Sequence, residues 1–130
     1  MAPESRELAQ QWFGKALADL ELADLLINRE RRLLDVAVFH CQQAAEKSLK
    51  GWLTDREIPF PKTRSLLKLV DLCSQASPEF VKFRGHAVEL TPFVSAYRYP
   101  GDASQPDAAL AAHAFRLAGE IHDFCQQQSE

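Results

Sequence analysis

Between Glu4 and Asn28 the residues Leu8, Ala9, Trp12, Phe13, Ala16, Leu20, Ala23, Leu26 and Ile27 fall on one arc when the chain is wound at about 100° per residue. A strand cannot show this repeat, because its side chains alternate between two faces. The pattern therefore predicts an amphipathic helix of about seven turns. The charged run "NRERR", Asn28 to Arg32, ends it and implies a short turn, and two adjacent antiparallel helices are the simplest result.

That second helix is expected over about Leu33 to Asp55, with Leu34, Ala37, Val38, Cys41, Ala45, Ser48, Leu49 and Trp52 on its apolar face. Its small residues, Ala37, Cys41, Ala44, Ala45 and Ser48, allow two helix axes to approach closely. His40, Gln43, Lys47 and Lys50 share the other side, with Glu46 one turn before Lys50, and Gln42 is read as solvent-exposed at the edge. Phe39 projects on that polar side, either as part of the core or as a seam between two copies.

Two prolines in "REIPFPKTR", Arg56 to Arg64, make this segment a connection. A third helix follows over about Ser65 to Gln75. Ser77 and Pro78 are placed to cap and start a fourth, which runs toward Tyr97 with a kink at Thr91 and Pro92. After the loop "YRYPGDASQPD" the helical repeat resumes from Ala108 to Gln128. No segment alternates as a strand. The expected fold is a single all-α domain over residues 1–130, an antiparallel, up-and-down bundle of four to five helices.

Composition narrows the function classes. A net charge of -3 argues against a broadly basic nucleic-acid coat, so any contact with nucleotide or RNA must be local. Cys41, Cys73 and Cys125 lack paired spacing and read as buried free thiols, and the four separated histidines give no metal site. His86 has no evident partner, while His113 and His122 read as surface or partly packed. The start "MAPESRELAQ" has no signal-peptide character and no run suits a membrane span, so the expectation is a cytoplasmic protein.

Three ordered blocks, "DVAVFHCQQAAEKSLKGWL", "PFPKTRSLLKLV" and "LTPFVSAYRYPG", together resemble the HEPN domain family, the small helical domains named for higher eukaryotes and prokaryotes nucleotide-binding. The resemblance implies a helical bundle that usually dimerises, needs no cofactor, and is often encoded beside a minimal nucleotidyltransferase in a toxin-antitoxin-like pair. Other branches are metal-independent ribonucleases, whose motif is an arginine, four to six residues, and a histidine.

The formal match to that motif is "RLAGEIH", Arg116 to His122. The family places its motif earlier, and a six-residue offset sets the two side chains about 120° apart on a helix, so chance spacing is the favoured reading. Phe124 stands where some relatives carry a modified tyrosine, and Arg64 where many have histidine. The ligand-binding candidates are therefore Gln43, Lys47, Arg64, Tyr97, Arg98 and Tyr99, with His40 and Lys50 at the margin of the cleft. Arg98 would hold a phosphate while Tyr97 or Tyr99 stacks on a base, although a helix stop is the favoured reading of "RYPG" and the two roles are compatible.

The expected protein is a noncatalytic or degenerate nucleotide- or RNA-binding homodimer. The alternatives are a metal-independent endoribonuclease, with Arg98 or Arg116 beside His122, and a structural adaptor.

Overall fold

The computed structural model describes residues 2–101 and 105–129; the expected loop before the last helix lies partly outside them. Helices α1 (Pro3–Arg29), α2 (Leu34–Asp55), α3 (Leu66–Ala76), α4 (Arg84–Leu90) and α5 (Ala108–Gln128) are joined by turns of 3-10 helix at Arg31–Leu33, Pro78–Phe83 and Thr91–Val94. Among the described residues there is no strand, and the all-α bundle expected from the sequence is the fold observed.

Local chemistry explains the boundaries. Ser65 caps α3 by accepting from the Lys68 backbone N–H, and Asp107 caps α5 by accepting from Leu110. Ser77 makes no such side-chain cap. The fourth helix, expected to run toward Tyr97 with a kink at Thr91 and Pro92, is instead a 3-10 segment, the seven-residue α4 and, from Thr91, a second 3-10 turn. Pro92 withholds a backbone donor there, while the Thr91 hydroxyl donates to the Ala87 carbonyl and accepts from the Leu66 N–H.

Side-chain pairs fix the directions of the helices. Arg6 faces Asp55 and donates to the Ser129 carbonyl, Asp19 faces Lys47, and Phe13 meets His122, so α1 runs antiparallel to both α2 and α5. The connection after α2 climbs back along it. Ile58 N–H donates to the Leu53 carbonyl, Lys50 lies by Phe60, and Gln42 donates to the Arg64 carbonyl. As a result α3 points the same way as α2.

Helix α2 is the centre of the molecule, packed by α1, α3, α5 and the last 3-10 turn. Its small residues Ala37, Cys41, Ala44, Ala45, Ser48 and Gly51 are all buried. At its C-terminal end Trp52, Phe80, Phe83 and Phe124 form an aromatic cluster, with centroids 4.7 Å apart for Trp52 and Phe80 and 5.0 Å for Phe80 and Phe124. Each fully buried ring stabilises by about 1.5–3 kcal/mol, so the cluster, with the partly buried Phe124 at its edge, ties α2 and the Pro78–Phe83 turn to α5. The three cysteines are buried free thiols. Burial pushes Cys41 and Cys73 up to about 12 and raises Cys125 as well, so none is a nucleophile at neutral pH.

Candidate functional site

Asp19 lies on α1 and is 7% exposed. Its two oxygens are both engaged by α2: Oδ1 accepts from His40 Nδ1 at 2.8 Å and Oδ2 from Lys47 Nζ at 2.7 Å. A carboxylate only accepts, so the neutral His40 ring carries its proton on Nδ1 and leaves Nε2 as an acceptor. Sequence reasoning missed Asp19. The signal was present, because Asp19 sits within the apolar arc of α1, where a charge needs a partner.

His40 also forms part of a groove of about 350 Å3 lined by Asp35, Val36, Phe39, His40, Tyr97 and Arg98. Tyr97 adopts φ +66°, a left-handed conformation uncommon for residues other than glycine, and stacks on Phe93 at 6.3 Å. That backbone reversal carries Arg98 back over α2. Its guanidinium carbon lies 4.5 Å from the Phe39 ring centre, and it donates to the Val94 carbonyl at 3.1 Å. Phe39, left open as core or seam, is the half-buried floor of this groove, and Tyr99, next in the chain after Arg98, is 70% exposed.

The remaining candidates divide. Gln43 is half-buried and donates to Gln42 Oε1 at 2.8 Å. Gln42, expected in solvent, is fully buried and donates to Glu46 and to the Arg64 carbonyl, because the returning connection covers that side of α2. Arg64 itself is exposed. Lys50, placed by the helical angle at the margin of the cleft, is only 8% exposed and pairs with Glu46 at 3.0 Å between Trp12 and Phe60. It therefore belongs to an internal polar cluster and not to the groove.

Arg116 and His122 do not meet in one site. Arg116 is exposed and donates to His113 Nδ1 at 2.7 Å, whereas His122, expected near the surface, is buried edge-on against Phe13 and hydrogen-bonded with Ser48 at 3.1 Å. Burial lowers the His122 pKa, with Asp123 opposing the shift. His86 and His113 bond Glu120 at 2.8 Å and Glu89 at 2.9 Å, joining α4 to α5.

A second groove of about 450 Å3 includes Phe83, Phe124 and Lys82, but the Lys82 ammonium lies 4.0 Å from the Phe124 ring centre and covers that aromatic floor. Among the described residues no set of three or more His, Cys, Asp or Glu could hold a metal ion, and no helix is long and apolar enough to cross a membrane.

Known proteins resemble the chain over most of its length. The archaeal HEPN homologue ST0689 superposes with a TM-score of 0.73 at 22% identity, covering 94% of this chain and 98% of that one. The structure of TT1696 from Thermus thermophilus gives a TM-score of 0.74 at 27% identity, covering 92% of this chain and 96% of that one. A search of curated proteins finds no significant match. The family model described as the HEPN domain matches residues 9–128, nearly the whole sequence. The chain belongs to the HEPN domain family.

Proposed function

We propose that this HEPN protein binds a nucleotide or an RNA segment without cleaving it, as a homodimer that works with a minimal nucleotidyltransferase in a toxin-antitoxin-like pair. One observation carries the binding reading: the Arg98 guanidinium is held over Phe39 in a groove that also contains Tyr97 and His40. A fixed cation beside aromatic surface suits a phosphate joined to a base. The groove volume suits one nucleotide unit, at the lower end of the ~300–1,000 Å3 of ligand sites. The separation of Arg116 from the buried His122 favours binding over cleavage by that pair. Exposed Leu8, Leu22 and Leu25 on α1, with Val36 on α2, are apolar surface that a second copy would cover.

The test is a titration with AMP and with an RNA pentamer, followed by amide chemical shifts. Shifts centred on Phe39, Tyr97 and Arg98, lost in Arg98→Ala, are the expected result; no shift there with either probe sinks the reading. Light scattering tests the dimer, and co-purification with the product of an adjacent nucleotidyltransferase gene tests the pairing.

A metal-independent ribonuclease is the second reading, and Asp19 favours it. A buried carboxylate orienting a histidine is the arrangement a general base requires, and His40, unlike the buried His122, lines a groove together with an exposed arginine, Arg98. RNA cleavage in chelator that is abolished by His40→Ala would establish it over the binding reading.

A further inference from the structure

We infer that the groove beside α2 selects ribonucleotides over deoxyribonucleotides, with Asp35 and His40 accepting hydrogen bonds from the ribose hydroxyls. This rests on the proposal that the groove holds a nucleotide unit.

Asp35 is the residue a phosphate site alone does not explain. It is half-buried in the first turn of α2, lines the groove, and makes no hydrogen bond or ion pair among the described residues. A carboxylate presents two acceptor oxygens and no donor. A carboxylate in a site for anions repels them unless the ligand also brings hydroxyl or amine donors. His40 adds an acceptor to the same groove, because Asp19 occupies Nδ1 at 2.8 Å and Lys47 holds the other Asp19 oxygen at 2.7 Å.

The wall contributed by α2 therefore offers two acceptors, and the wall contributed by the Tyr97 turn offers the Arg98 cation. A ribonucleotide has this division of chemistry, with vicinal hydroxyls that donate at the sugar and a phosphate that accepts. A deoxyribonucleotide lacks the 2′-hydroxyl and leaves one acceptor desolvated without a donor, which costs more than a missing contact in water.

The experiment compares AMP with dAMP, and an RNA pentamer with the DNA pentamer of the same sequence, on the intact protein, Asp35→Asn and Asp35→Ala. The expected preference for the ribose form is about tenfold, as for one hydrogen bond to a charged group. It should fall to about twofold or less in Asp35→Ala, with Asp35→Asn between the two. Circular dichroism confirms that each variant retains its helices. Equal binding of ribose and deoxyribose forms by the intact protein overturns the inference and leaves the nucleotide groove standing. Tighter binding of both forms by Asp35→Ala, with the ratio unchanged, also overturns it and makes Asp35 a repulsive charge only. No binding of any probe removes the groove reading and the inference together.

Discussion

Gly51 packs directly against Trp12 and Phe13 of α1, and replacing it with alanine sets two opposed effects against each other. In a helix interior alanine is favoured over glycine by about 1 kcal/mol, so propensity alone predicts stabilisation. A Cβ at this position would lie 2.8 Å from Phe13 Cε1, 3.0 Å from Phe13 Cδ1 and 3.0 Å from Trp12 Cβ. Phe13 cannot swing aside, because it is 2% exposed and packs edge-on against His122. Forcing a methyl group into such a core costs about 1–3 kcal/mol, and the upper half of that range exceeds the propensity gain. We expect Gly51→Ala to lose about 1 kcal/mol, or about 4 °C in Tm.

Gly14 is the control, exposed on α1 with nothing within 4 Å of a built Cβ; Gly14→Ala should gain about 0.5–1 kcal/mol. Urea denaturation followed by circular dichroism reads both. If Gly51→Ala were as stabilising as Gly14→Ala, the closeness of α1 and α2 would not be set by this glycine, and the packing argument would be wrong.

Three further outcomes follow from buried polar groups. Asp19→Asn removes the charge facing Lys47 and His40, both about three-quarters buried, and should cost about 1–2 kcal/mol in denaturant melts, between the values for surface and interior pairs; a neutral effect would place all three in solvent. Lys50→Met should cost about 3 kcal/mol by leaving Glu46 uncompensated, and Lys50→Met with Glu46→Gln should recover most of it; equal losses in the single and double variants would rule out the pair as the cause. The folded-state pKa of His122 is lowered by burial, so below about pH 6.5 the unfolded chain takes up a proton that the folded chain refuses. Stability should fall as pH drops through that window, level off below the folded pKa, and show a shallower decline in His122→Gln; parallel pH profiles for the two proteins would count against this.

The helices were legible in the sequence because their apolar repeats are long, and α5 was read at its observed bounds, Ala108–Gln128. What was not legible has two physical causes. The first is that a helical wheel assumes one buried face, whereas α2 is enclosed by α1, α3, α5 and the returning connection. Gln42 was therefore read as solvent-exposed and Lys50, with Glu46 one turn before it, as the margin of a cleft, although each of the three is buried and satisfied by the others or by the Arg64 carbonyl.

The second cause is that the groove joins Asp35 to His40 with Tyr97 and Arg98, segments distant in the chain, through a left-handed residue that is not glycine. Nothing at Tyr97 announces positive φ, so "RYPG" reads as a helix stop when the helix has already ended at Leu90 and a 3-10 turn at Val94. Holding a tyrosine there costs about 1–2 kcal/mol, and its stacking on Phe93 together with Arg98 on Phe39 must offset that cost. The same contacts that restrain the turn thus form the groove wall. Losing Phe39 should disturb both the turn and the placement of the Arg98 charge, which explains why a large aromatic side chain stands on the polar side of α2.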